Sequence, residues 1–332
     1  MVEKVLLLAD FFEENFIREQ DSDHTNKLNL LYLYTKMNKY LFPVYRVLVP
    51  KPFRTFILKK NLRKNILLHF AALPENVAND DQKEVIQYLE KNQVRIFPYP
   101  FHDNYSPDTI NVIYDNEKGM NYVMQEGKRL YFKKRWNASR IKKAYADLLR
   151  EQDENSPHRY LTDTFTVGKN DVIADIGAAE GNFSLSVIDK VRKIYLFERD
   201  NEWIAALKAT FAPWGDRVEI INRFVSDHND SSHIMMDTFF ENHKDITFLK
   251  IDVDGGETAV LESCKKMLES GISFKIALCT YHNNNDEKEF TELLKQYAFN
   301  ISPSRGYMIN YYDKRLEAPF LRRGLIRGQR PN

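Results

Sequence analysis

"DIGAAEGNF", residues 175–183, follows the apolar run Val172-Ile173-Ala174, and its reading decides the fold. Gly177 and Gly181 stand four positions apart, Asp175 precedes the first, and nothing bulky lies between them. A short apolar run, a glycine-bearing turn and an amphipathic stretch together describe a strand-to-helix junction. The helix N-terminus at such a junction offers unpaired N–H groups and the positive end of a dipole. Glycines there let backbone approach a ligand with no Cβ in the way. Many tight turns share the pattern without holding anything, so the flanking sequence has to identify the ligand.

Outward from this turn, short apolar runs alternate with amphipathic ones, the pattern of βα units on a parallel sheet. Strands are expected at 172–175, 193–197, 218–221, 248–253 and 274–280, with helices at 182–191, 202–211, 259–270 and 287–297. A final pair, 299–302 and 307–312, flanks "SPSRG" and reads as an antiparallel hairpin. The terminal "LRRGLIRGQRPN", with Arg322, Arg323, Arg327 and Arg330, reads as a solvated basic tail.

Toward the N-terminus, residues 26–70 read as helical with breaks at Pro43, Pro50 and Pro52. "NDDQKEVIQYLEKN" is a helix capped by Asn79 or Asp80. "VRIFPYPF" reads as a strand, "NYVMQEGKRLYFK" as a hairpin turning at Glu126-Gly127, and "ASRIKKAYADLLREQ" as a helix. The expected division is an N-terminal accessory α+β region, 1–110, and a second domain, 111–332, whose hairpin and helix at 111–152 lead into the sheet.

Bulk properties exclude several classes. The chain has 332 residues, 43% apolar and 29% charged, with a formal net charge of +1, so nothing global favours nucleic acid. Cys264 and Cys279 are too few for a disulfide framework or a four-cysteine zinc site. The first residues lack the pattern of a secretory leader, and no run of about 18 apolar residues occurs, so a cytoplasmic enzyme is expected. Residues 24–74 hold ten Lys/Arg and no acid, interleaved with aromatics. That segment suits phosphates of an anionic carrier, anionic lipid headgroups or an acidic partner surface, but the leading reading is a solvated basic helix face balanced by the acids of residues 75–90.

The second expected strand ends "YLFERD", which puts Glu198 21 residues after Gly177. A carboxylate there accepts hydrogen bonds from ribose hydroxyls. A dinucleotide turn needs G-x-G-x-x-G to admit a pyrophosphate, and this chain instead has Glu180 within the turn and Asp175 before it. S-adenosylmethionine carries no phosphate and has two cationic groups, so the charges favour it over NAD. "FLKIDVDGGETAVLESC" gathers Asp252, Asp254 and Glu257 at the fourth strand end, and "CTYHNNND" brings Tyr281 and His282 to the same edge.

The stretches "DVIADIGAAEGNFSL", "YLFERD", "FLKIDVDGGETAVLES" and the strand-end "YH" resemble the FkbM-like family of S-adenosylmethionine-dependent methyltransferases, over roughly residues 153–302. Members commonly have Asn at the position of Ala179 and Glu at that of Asp254. The resemblance implies a Rossmann-like class I methyltransferase fold: a mostly parallel seven-stranded sheet with helices on both faces. It implies O-methylation, often of sugars or secondary metabolites. It also implies that Asp175, Gly177, Ala178 and Gly181 line the methionine portion of the cofactor and that Glu198 holds the ribose. Asp227 would approach the adenine, and Asp252 would receive the ligand ammonium or the acceptor hydroxyl. Ser156 or His158 in "SPHRY" would close over the cofactor.

An alcohol must lose its proton during methyl transfer, so a general base is expected. His282 is the first candidate, as a neutral imidazole near pH 7, and Asp252 the second. Asp252, Asp254, Glu257 and His282 alternatively suit Mg²⁺ or Mn²⁺, and His282 alternatively shapes the pocket. No Pro-Pro-aromatic run for an exocyclic amine occurs, nor a Pro-Cys nucleophile for a pyrimidine carbon. A sugar or small-molecule hydroxyl therefore leads. An RNA methyltransferase and a cofactor-binding module without catalysis are the alternatives, and the oligomeric state is open.

Overall fold

The computed structural model describes residues 50–330 apart from Glu75. The part of the basic segment before residue 50, with the break expected at Pro43, lies outside the described residues. Residues from Lys59 onward belong to one compact unit, within which the expected 110/111 division falls. Among the described residues no helix is long and apolar enough to cross a membrane.

Helix α1, Lys51–Ala71, has Pro52 in its first turn. A first-turn N–H has no intrahelical partner, so proline there costs nothing, and Pro52 opens this helix instead of breaking one. Helix α2, Asp80–Lys91, carries a complete capping box: the Gln82 amide donates to Asn79 Oδ1 at 2.9 Å and the Asn79 amide to Gln82 Oε1 at 3.0 Å. The strand expected at 94–101 does not form. Pro98 and Pro100 cannot donate to a ladder, and Val94, Phe97, Tyr99 and Phe101 enter an apolar cluster with Ile66, Leu89, Tyr307 and Ile309 instead.

Strands β1 (Ile113–Asp115), β2 (Met120–Gln125) and β3 (Lys128–Tyr131) form an antiparallel sheet. Glu126 and Gly127 turn it with φ of 49° and 78°, the pair of left-handed residues that a two-residue hairpin requires. Helix α3, Ala138–Glu151, is capped by Asn137.

The remaining elements are β4 (Val172–Ile176), α4 (Asn182–Val187), β5 (Lys193–Phe197), α5 (Asn201–Phe211), β6 (Val218–Ile221), β7 (Phe224–Val225), β8 (His233–Ile234), α6 (Met236–Phe240), β9 (Phe248–Ile251), α7 (Glu257–Ser263), α8 (Lys265–Glu269), β10 (Lys275–Cys279), α9 (Asp286–Gln296), β11 (Asn300–Pro303) and β12 (Leu325–Gln329). Seven of these strands form one sheet in the order β11-β12-β10-β9-β4-β5-β6, with only β12 antiparallel to its neighbours. Side chains alternate across it. Val172, Ala174 and Ile176 enter the core beneath α6–α9, while Ile173, Ile194 and Phe248 enter the opposite core with α3, α4 and α5. Both faces are covered, as parallel sheets demand.

The C-terminal expectations fail together. The hairpin of 299–302 with 307–312 is absent, because β11 pairs with β12. Tyr307, Met308 and Ile309 are buried against residues 66–101. The supposed basic tail is β12, between β10 and β11. Arg322, Arg327 and Arg330 are buried and their guanidinium groups satisfy carbonyls: Arg327 Nε donates to Tyr160 O at 3.0 Å, and Arg330 Nε to Tyr297 O at 2.9 Å. A planar five-donor cation tolerates burial when carbonyls surround it. Gly328 is needed there, since a Cβ would meet Ile276 Cγ2 at 2.7 Å.

Candidate active site

The strand order reverses between β4 and β9, and open α/β sheets bind ligands beyond the strand ends at that point. A cleft of about 580 Å³ opens there, walled by Gly177, Ala179, Glu198, Trp203, Asp252 and Tyr281 among others.

The glycine turn is built differently from expectation. Gly177 has φ 76°, and a Cβ on it would lie 2.0 Å from the carbonyl oxygen of Asp252. At Gly181, φ 81°, a Cβ would meet Leu207 and Phe211 at 2.8 Å. Both glycines therefore permit close internal packing of the turn against β9 and α5. The amides of Gly177 and Ala178 donate to Phe197 O at 3.1 Å, that of Gly181 to Ala178 O at 2.8 Å, and that of Ala179 to Glu198 Oε2 at 3.0 Å. These amides are engaged within the fold.

Asp175, Ala178 and Gly181 lie behind the cleft wall. Asp175 is buried, pairs with Lys250 Nζ at 3.0 Å and accepts from Ser184 Oγ at 2.7 Å. Lys250 in turn donates to Gly177 O at 2.7 Å. Glu180, expected to oppose a phosphate, is buried away from the cleft, where desolvation and then the charge of Glu151 push its carboxyl up to about 8. Asp227 is exposed beside the cleft and bonded to Ser226 Oγ and His228.

Glu198 stands in the cleft, as its place at the end of β5 predicts. Its Oε1 accepts from the amides of Arg199 and Asp200 at 2.7 Å, and its Oε2 from Ala179. A carboxylate has about four acceptor positions, so these three bonds lock its orientation and leave capacity for a ligand hydroxyl.

Asp252, after β9, collects the next group. The hydroxyl of Tyr160 donates to its Oδ2 at 2.8 Å and that of Tyr281 to its Oδ1 at 3.2 Å, with His158 Nε2 3.5 Å from Oδ2. Burial alone would raise this carboxyl. His158, Lys250 and His282 outweigh it and hold Asp252 well below the usual carboxylate range. His158 is buried under the site with its amide on Ser156 Oγ at 3.2 Å, so neither residue closes over the cleft.

His282 faces three carboxylates: Glu257 Oε1 at 2.9 Å, Asp254 Oδ1 at 3.7 Å and Asp252 Oδ1 at 3.9 Å. Burial opposes its charge, but Asp254, Glu257 and Asp252 overcome that and push it up to about 10. His282 is therefore a cation near pH 7, not the neutral imidazole that a general base requires. Glu257, buried, also accepts from the amides of Val253 at 3.0 Å and Gly255 at 3.4 Å, clamping the "DVDGG" loop. Asp252, Glu257 and His282 bring ligand atoms within 4.8 Å of one another, whereas Asp254 is outside that group and fully exposed. Tyr160 and Lys250 carry no sequence signal for their roles. Lys250 sits inside the apolar run of β9, and Tyr160 in the loop that leads into the sheet, two residues after His158.

Residues 52–307 match the family described as the methyltransferase FkbM domain. No curated protein gives a significant match. Among solved structures, the FkbM methyltransferase of Methylobacillus flagellatus is 12% identical with a TM-score of 0.41, over 83% of this chain and 60% of that one. An rRNA methylase of Streptococcus thermophilus is 13% identical (TM-score 0.35; 50% of this chain, 90% of that one). The N-methyltransferase NodS of Bradyrhizobium japonicum, solved with S-adenosylhomocysteine, is 10% identical (TM-score 0.34; 57% and 87%). This chain thus spans 60% of the length of the Methylobacillus protein, and superpositions this loose carry no functional argument. The family match covers most of the chain, which belongs to the FkbM methyltransferase family.

Proposed function

We propose that this protein is an S-adenosylmethionine-dependent O-methyltransferase acting on a hydroxyl of a sugar or other small molecule. The observation that carries the cofactor is the turn itself: its amides at Gly177, Ala178, Ala179 and Gly181 are spent internally. A pyrophosphate needs such amides, so the turn suits a phosphate-free ligand. Glu198, fixed in orientation in the cleft, supports the reading by offering acceptor capacity that a ribose hydroxyl would use.

When bound, S-adenosylmethionine supplies an electrophilic methyl on a sulfonium. The chain's own contribution is alignment, which can be worth about 7–11 kcal/mol. Asp252 stays ionised, with Tyr160 and Tyr281 fixing its oxygens, and accepts the hydrogen bond of the acceptor hydroxyl. Methyl transfer to that hydroxyl would release its proton, which would leave to solvent; Asp252, held well below the usual carboxylate range, orients the hydroxyl and is too weak a base to keep the proton. The His282 imidazolium balances the surrounding carboxylates. Hydroxyl methylation itself rests on family analogy.

The test is calorimetric titration of the full chain with S-adenosylmethionine and with NAD, wild type against Glu198→Ala. Saturable binding of S-adenosylmethionine alone, weakened roughly 10–100-fold by the substitution, is expected for loss of a charge-assisted hydrogen bond worth about 1.5–3 kcal/mol. Binding of NAD, or of neither, overturns the reading. Turnover on hydroxyl acceptors, with and without Mg²⁺, then separates an enzyme from a cofactor-binding module.

A further inference from the structure

The segment between β7 and β8 gathers a second cluster that the methyl-transfer reading does not use. His228, Asp230 and His233 each offer a ligand atom, all within 4.8 Å of one another. The two imidazole rings are 4.5 Å apart, centroid to centroid.

The segment is shaped in advance. Asp230 Oδ1 accepts from the amides of Ser232 and His233 at 2.6 and 2.7 Å. Asn229 accepts from the Met235 amide at 2.9 Å and donates to Thr238 Oγ1 at 3.0 Å. Each ring has its Nδ1 against a carboxylate, His228 on Asp227 at 2.8 Å and His233 on Asp230 at 2.9 Å. A carboxylate on one ring nitrogen orients an imidazole and makes its other nitrogen a better metal ligand. His228 Nε2 stands 3.6 Å from Asp230 Oδ2, too far for a hydrogen bond. It is close to the separation, about 3.3 Å, of two ligands bonded at about 2.0–2.1 Å to one tetrahedral cation.

We propose that His228, Asp230 and His233 form a binding site for a divalent transition metal of the Zn²⁺ class. Two imidazoles and a carboxylate suit a borderline cation, whereas Ca²⁺ and Mg²⁺ prefer oxygen. His228 and Asp230 are exposed, so the fourth position is open to water. His233 also stacks on Phe224 at 5.7 Å, and both line the cleft, so metal loading stiffens that wall.

The experiment titrates ZnCl₂ into chelator-stripped full-length protein by calorimetry, and repeats the uptake with Co²⁺ to read a tetrahedral visible absorption band. Saturable uptake of one equivalent is expected, with the Co²⁺ band present. His228→Ala should weaken it by more than the roughly 10–100-fold expected for Asp227→Asn, which touches only the orienting carboxylate. His282→Ala should leave it unchanged, separating this cluster from the one around Asp252. No saturable Zn²⁺ uptake, or equal uptake by wild type, His228→Ala and Asp227→Asn, would mean that the cluster is an ion-paired loop only.

Discussion

Lys250 and Asp175 form an ion pair at 3.0 Å beneath the glycine turn, and neither side chain reaches solvent appreciably. The same ammonium holds the Gly177 carbonyl, so this pair fixes the cleft floor from behind. Removing one partner strands a buried charge. Lys250→Met is expected to cost about 3–5 kcal/mol in chemical denaturation. Lys250→Met combined with Asp175→Asn should recover part of that loss. Equal stability of wild type and Lys250→Met would refute a structural pair.

Glycine substitutions separate steric need from backbone strain. Gly177→Ala places a methyl 2.0 Å from a carbonyl oxygen, whereas Gly127 has φ 78° and open space around it. Gly127→Ala should cost only about 1–2 kcal/mol, the left-handed penalty. Gly177→Ala should cost well beyond that, to the point of poor soluble yield. Comparable melting temperatures for the two variants would contradict the geometry.

The raised pKa of His282 has a definite pH signature. Its folded value is about 10, against about 6.5 when unfolded. The stabilisation it brings is therefore fully present below about pH 6.5 and is lost as pH rises toward about 10. Thermal midpoints measured from pH 6 to 10 should fall more steeply for wild type than for His282→Gln. Parallel profiles would show that the carboxylates around this ring do not hold its proton.

The parallel half of the sheet was legible because hydrophobic runs and turns there obey local rules. The strand expected at 193–197 matches β5 to the residue, and Glu198 lies where the end of a strand must put it. Nonlocal features were hidden. Leu325 and Ile326 are a two-residue apolar signal among arginines, and only burial of those arginines against distant carbonyls makes them a strand. Phe97, Tyr99 and Phe101 alternate like a strand, yet the prolines between them forbid a ladder. At His282 the residue type suggested a base. Its protonation depends on three carboxylates whose convergence no spacing reveals.

The position of β12 also sets an order of events during synthesis. β10 lies beside the cleft, and among the described residues one of its two edges is covered by residues 325–329. Among the described residues β11 pairs with β12 alone. Until those residues leave the ribosome, β10 presents an apolar edge of unpaired N–H and C=O groups, a template for association with other chains. Of the seven strands of this sheet β12 is thus the last to be synthesised, and the solubility of the chain before that point depends on whatever shields the β10 edge in the interval.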